Sequence, residues 1–153
     1  MSITYNTIKL KKYSDVIEEH TAGGTIYPGM LLIMSAADTV VAHNDDNPAT
    51  FIPIVALEDE LQGKGIDDAY VSGDQVQCWI PYRGDQVYAI AEDGSNYTVG
   101  SFVASNGIGY VHPYASGVPF GVVIEALDLS GSSGEESSEA PFGYNKRVKI
   151  RVL

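Results

Sequence analysis

The residue types able to do chemistry are present in this 153-residue chain but scattered. His20, His43 and His112 stand far apart, with no cysteine or second histidine at zinc-ligand spacing. His43 with Asp45, Asp46 and Asn47 offers oxygens to a calcium ion. That loop lacks the glycine and distal glutamate of an EF-hand, and Pro48 closes it early. Glu58-Asp59-Glu60 and Asp67-Asp68 could supply a general acid and base, but charged clusters at strand ends read first as solvated surface. Ser72, Ser101 and Ser105 lie in no nucleophile elbow. Gly107-Ile108-Gly109 is too short for a phosphate fingerprint and no helix follows it. Cys78, the single cysteine, sits in VQCWI and reads as a small buried hydrophobe rather than a nucleophile. Asn96-Tyr97-Thr98 matches a glycosylation acceptor but reads as a turn. These residues imply no enzyme, no metal and no cofactor.

One motif points elsewhere. Arg83-Gly84-Asp85 is the tripeptide that adhesion receptors read. Gly-Asp-Gln-Val, however, occurs twice, at 73–76 and 84–87, and the first copy is preceded by Ser72. The repeated element is therefore a turn leading into a strand. Glycine supplies positive φ, aspartate bonds to nearby amides, and the arginine is incidental.

The elements that must carry these residues are short strands. Sixteen glycines and ten tyrosines, with β-branched runs between turns, indicate an all-β chain. An apolar fraction of 44% suits a globular domain with a real core. No apolar run approaches the roughly 20 residues that span a bilayer. The first residues lack the apolar stretch of a secretory signal, so synthesis in a cytosol is expected.

Strands are expected at 14–20, 30–34, 39–42, 51–57, 75–80, 86–91, 97–99, 99–104, 120–127 and 144–153. Asp93-Gly94 signals a hairpin joining 87–91 to 97–99. The closing strand alternates, with Val148, Ile150 and Val152 on one face and Arg147, Lys149 and Arg151 on the other. Residues 1–13 read as an extended N-terminal arm that contributes contact rather than core. Residues 14–153 read as one β domain, barrel-like or β-tulip-like, with a mobile Ser/Gly/Glu-rich loop at about 129–141.

Charge separates along the chain. All 20 acidic residues fall between Asp15 and Glu139, and seven of nine basic residues lie outside that interval. A formal net charge of −11 repels nucleic-acid phosphate. Basic ends on an acidic body suit an acidic partner or a neighbouring copy of the chain.

Several segments together resemble the head decoration, or cement, proteins of tailed bacteriophages, including lambda-type β domains. These are the Pro-Gly turn into an apolar strand at 27–33, FIPIVALED, AYVSGDQVQCWIPYRGDQVYAI, VGSFVASNGIGYV and GVVIEAL, in that order. The resemblance spans about 22–129. It implies a virion protein on the outer capsid surface whose partner is the major capsid protein, with copies that cluster as trimers. It also implies that the N-terminal arm contacts the capsid. Ile3, Tyr5 and Ile8 suit strand addition, and Lys9, Lys11 and Lys12 suit pairing with partner carboxylates. Arg147, Lys149 and Arg151 form a second basic contact set. The alternative is a carbohydrate-binding or host-surface-adhering module displayed on the virion. It would use Trp79, Tyr82, Tyr88, Tyr97, Tyr110 and Tyr114. A single-strand nucleic-acid barrel would need a basic groove, and the body offers only Lys64 and Arg83.

Overall fold

The computed structural model of the chain describes residues 5–12, 15–44, 54–116, 118–130 and 147–153. Its strands are β1 (Lys9–Lys11), β2 (Ile17–Ala22), β3 (Leu32–Ala36), β4 (Thr39–Ala42), β5 (Val55–Ala56), β6 (Gln75–Trp79) and β7 (Gln86–Ile90). They continue with β8 (Asn96–Tyr97), β9 (Phe102–Ser105), β10 (Val111–Pro113), β11 (Gly121–Val123), β12 (Leu127–Asp128) and β13 (Arg147–Val152). One 3₁₀ turn, Glu60–Gln62, interrupts the β pattern. The all-β expectation holds.

A six-stranded sheet runs β1-β7-β13-β11-β9-β10, a five-stranded sheet runs β3-β4-β2-β6-β5, and β12-β8 forms a small ribbon. The larger sheet curls until Ala91 meets Val111 in one parallel bridge, yet it does not close. The domain is sandwich-like rather than a barrel. Two apolar clusters fill it. Val87, Val103, Val123 and Ile150 belong to one, and Ile26, Leu32, Val40, Val76 and Cys78 to the other.

The last strand shows how pattern becomes structure. Val148, Ile150 and Val152 alternate along β13 and all three are buried. Each such side chain contributes about 1.5–3 kcal/mol by leaving water. β13 lies between β7 and β11, so it bonds on both sides. Three expectations change. β8 pairs with β12, not with β7, so Asp93-Gly94 does not make a hairpin of those two strands. The run 120–127 divides into β11 and β12, which belong to different sheets. The N-terminal segment, over its described part, is not an independent arm. β1 pairs with β7, and Ile8 is 0% exposed within the core. The loop expected at 129–141 lies outside the described residues beyond Ser130.

Both Gly-Asp-Gln-Val copies make the same turn. The Val71 amide donates to Asp74 Oδ2 at 2.9 Å, and the Tyr82 amide donates to Asp85 Oδ2 at 2.8 Å. The amides of Asp74 and Asp85 return to the carbonyls of Val71 and Tyr82, each at 3.0 Å. Gly73 has φ 95° and Gly84 has φ 94°, a region that side chains with a Cβ rarely enter. Asp85 is fully buried, so its carboxylate is a turn acceptor and is not presented to a receptor.

Candidate functional site

The residues expected to bind a partner come together on β1, β7 and β13, but they differ in what they present. Ile3 lies outside the described residues. Tyr5 packs edge-on against Tyr88 with ring centroids 5.1 Å apart, and its hydroxyl donates to Glu125 Oε2 at 2.6 Å. That carboxylate, with burial adding to it, pushes the Tyr5 hydroxyl up to about 12. Ile8 is in the core, and its amide donates to Glu58 Oε2 at 3.1 Å while Thr7 donates to Glu58 Oε1 at 2.7 Å. Lys9 pairs with Asp15 at 3.0 Å, and Lys12 pairs with the same carboxylate. Hydrogen bonds from Lys12 and then Lys9 hold the Asp15 carboxyl below its ordinary range.

Exposure grades along β13. Arg147 is 2% exposed. Its guanidinium donates to the carbonyls of Pro28 and Ile66 and to Asp67 Oδ1. Burial lowers its pKa, and the Asp67 hydrogen bond opposes that shift. Lys149 is half-buried, with Nζ 5.3 Å from the Tyr5 ring centroid. Arg151 is exposed. Ile8 and Arg147 therefore serve the interior, and burial removes them from any contact surface. Of the cations expected to contact a partner, Lys11, Lys12 and Arg151 are exposed.

The acidic pairs have internal tasks as well. Glu58 anchors residues 7–8, Asp67 receives Arg147, and Asp68 Oδ2 accepts the Gly65 amide at 2.7 Å. His43 Nδ1 lies 2.8 Å from Ser105 Oγ, a spacing seen in nucleophilic pairs. Both side chains are buried, and Ser105 Oγ already accepts the Gly107 amide. The pair is thus a core hydrogen bond closed to substrate. Cys78 is fully buried, and burial pushes its thiol up to about 12. It behaves as the small hydrophobe the sequence indicates.

The aromatic residues expected of a sugar platform are mostly internal. Trp79, Tyr88 and Tyr97 are buried, Tyr110 is half-buried, and Tyr82 and Tyr114 are exposed. The aromatic missed from sequence is Phe102. It is exposed and meets Tyr114 edge to face, with centroids 6.3 Å apart and planes at 84°. Two perpendicular rings do not form a flat stacking floor. Phe102 leads a strand in which Val103 and Ala104 are buried, and only cross-strand pairing places it in line with Arg151.

No protein-family model matches the chain, and no curated protein matches it. Among solved structures, the fold is similar to the head fiber gp8.5 N base of bacteriophage phi29. The likeness has a TM-score of 0.57 at 17% sequence identity and covers 92% of this chain and 95% of that one.

Proposed function

We propose that this chain is a structural accessory protein of a tailed-phage head, docked on the outside of the assembled capsid. The observation that carries the reading is the fold's likeness to a phage head fiber base over nearly the whole of both chains. The internal use of Glu58, Asp67, Asp68, Ser105 and Cys78 supports a binding role over a catalytic one. In this reading the chain reinforces joints between major capsid subunits, and copies of it add to one another through the lattice. A ligand that binds the assembled particle and not the free subunit stabilises the particle by mass action.

The test uses heads of the virus that encodes the chain, prepared without this protein. Purified protein should sediment with mature heads, and the decorated heads should release their genomes at a higher temperature. Heads that bind the protein but melt unchanged would leave a displayed accessory protein and remove the reinforcing role.

A further inference from the structure

Five residues on five strands, with Tyr114 just after β10, form one line across the outer face of the large sheet. Lys11 lies opposite Gln86, Gln86 opposite Arg151, Arg151 opposite Val122, and Val122 opposite Phe102. Tyr114 completes the line: its amide donates to the Phe102 carbonyl at 2.9 Å and its ring meets that of Phe102. Directly opposed residues share a face. At about 4.8 Å per strand the line is about 24 Å long.

Away from the line, β7 and β13 are progressively covered on this face. Two residues along the strands, Tyr88 and Lys149 lie under Tyr5. Two further on, Ile90 and Arg147 are buried, with Arg147 bonded to residues 28, 66 and 67. Along β7 and β13 exposure thus falls away from the line, while within it Phe102 is 47% exposed and Tyr114 41%.

The charges repeat the pattern. Among the described residues, Lys9, Lys12, Lys64 and Arg147 each have a described carboxylate within 4.0 Å, whereas Lys11, Arg83, Lys149 and Arg151 have none. Two of those four cations are in the line, and Lys149 lies beside it over the Tyr5 ring. Arg83 is on the turn whose Gly84 amide donates to the Val152 carbonyl, beside Arg151. In a chain with 20 acidic and 9 basic residues, these four cations gather on and beside one sheet. A cationic half joined to an aromatic half has the composition of a protein interface, where arginine, tyrosine and phenylalanine are enriched.

We infer that the line Lys11–Gln86–Arg151–Val122–Phe102–Tyr114 is the docking face, and that its occupant is an acidic protein surface. The occupant presents carboxylates to Lys11 and Arg151 and an apolar recess to Phe102 and Tyr114. The inference rests on the head-accessory reading, in which that surface belongs to the capsid. A single row falls well short of the about 800 Å² per partner of a stable pairwise interface. It holds through repetition, as a lattice allows. Nucleic acid shares a taste for cations and aromatics, but a chain of net charge −11 repels its backbone, and edge-to-face rings offer bases no open stacking platform.

The experiment measures binding of the full chain to heads lacking it, at several salt concentrations. Arg151→Glu and Phe102→Ala should each weaken binding at least tenfold, with unchanged circular dichroism. Lys64→Glu makes the same charge change away from the line and should leave binding as it was. Arg151→Gln serves if the reversal impairs folding. Added salt should weaken the wild type more than Arg151→Gln. Heads that bind wild type, Arg151→Glu and Phe102→Ala equally would overturn the face and leave the head reading standing. Heads that bind no wild-type protein would overturn both. Binding of a labelled thirty-nucleotide oligothymidine, lost in Arg151→Glu, would reassign the face to nucleic acid. Concentration-dependent association of the free chain, lost in the same variants, would reassign it to a second copy.

Discussion

The Arg147 guanidinium meets Asp67 Oδ1 at 3.0 Å, and the same side chain donates to the carbonyls of Pro28 and Ile66. One residue of the central strand thereby ties two loops to the sheet. A residue that looked like surface charge is a cross-brace.

Removing that brace is expected to be costly. Arg147→Ala leaves two loop carbonyls and a carboxylate without their donor, and should destabilise the fold by about 3–5 kcal/mol. Arg147→Lys keeps the charge but not the planar fork and should recover only part of the loss. Denaturant melts decide it; an Arg147→Ala midpoint equal to wild type would mean that the buried bonds are not needed.

The N-terminal segment should behave as part of the domain. Ile8→Ala is expected to cost about 2–5 kcal/mol, the usual range for emptying a packed aliphatic site. Removing residues 1–12 should lower the melting temperature and expose β7 to amide exchange. A truncated chain that melts like the intact one would restore the arm as a mere appendage.

The turn at 82–85 separates its three residues. Arg83→Ala should change stability by less than about 0.5 kcal/mol, as at other exposed sites. Asp85→Ala should cost about 1–3 kcal/mol, because the Tyr82 amide loses a buried acceptor. Gly84→Val should cost about 1 kcal/mol or more, since φ must stay positive. Thermal melts of the three variants should rank them in that way; a large loss in Arg83→Ala alone would make the arginine structural.

Cys78 should resist thiol reagents in the native protein. Its thiol, pushed up to about 12 by burial, is protonated at neutral pH and closed to solvent. Reaction with Ellman's reagent should be slow in buffer and complete in denaturant. Rapid labelling of folded protein would show that β6 opens readily.

Asp15 makes a pH-dependent contribution. Its folded pKa lies below the ordinary 3.8 because Lys12 and Lys9 bond to the carboxylate. The unfolded chain therefore takes up the proton first as pH falls. The stabilisation is whole well above 3.8 and is lost as pH drops through the folded value. The difference in melting temperature between wild type and Asp15→Asn should shrink across that window and shrink also with added salt. A difference that stays constant from neutral pH to pH 2 would count against the ion pairs.

By itself the sequence determined the local physics. Alternation in 147–152 marked which residues of β13 enter the core, because successive strand side chains point to opposite faces. Gly-Asp at 73–74 and 84–85 marked two turns, because positive φ and an acceptor for a nearby amide are properties of those residues alone. The short apolar context of Cys78 marked a buried thiol. Tertiary structure decided what depends on distant partners. Arg147 and Arg151 alternate identically in sequence. One is buried because Pro28, Ile66 and Asp67 arrive beside it, and the other is exposed, with no described carboxylate within 4.0 Å. Asp93-Gly94 carried a hairpin signal, but β8 found β12 as its neighbour, and pairing across thirty residues of chain leaves no local mark. The line from Lys11 to Tyr114 exists only in register. Its members are separated along the chain and become adjacent when strands pair, and no local pattern of charge or hydrophobicity encodes that choice of neighbour.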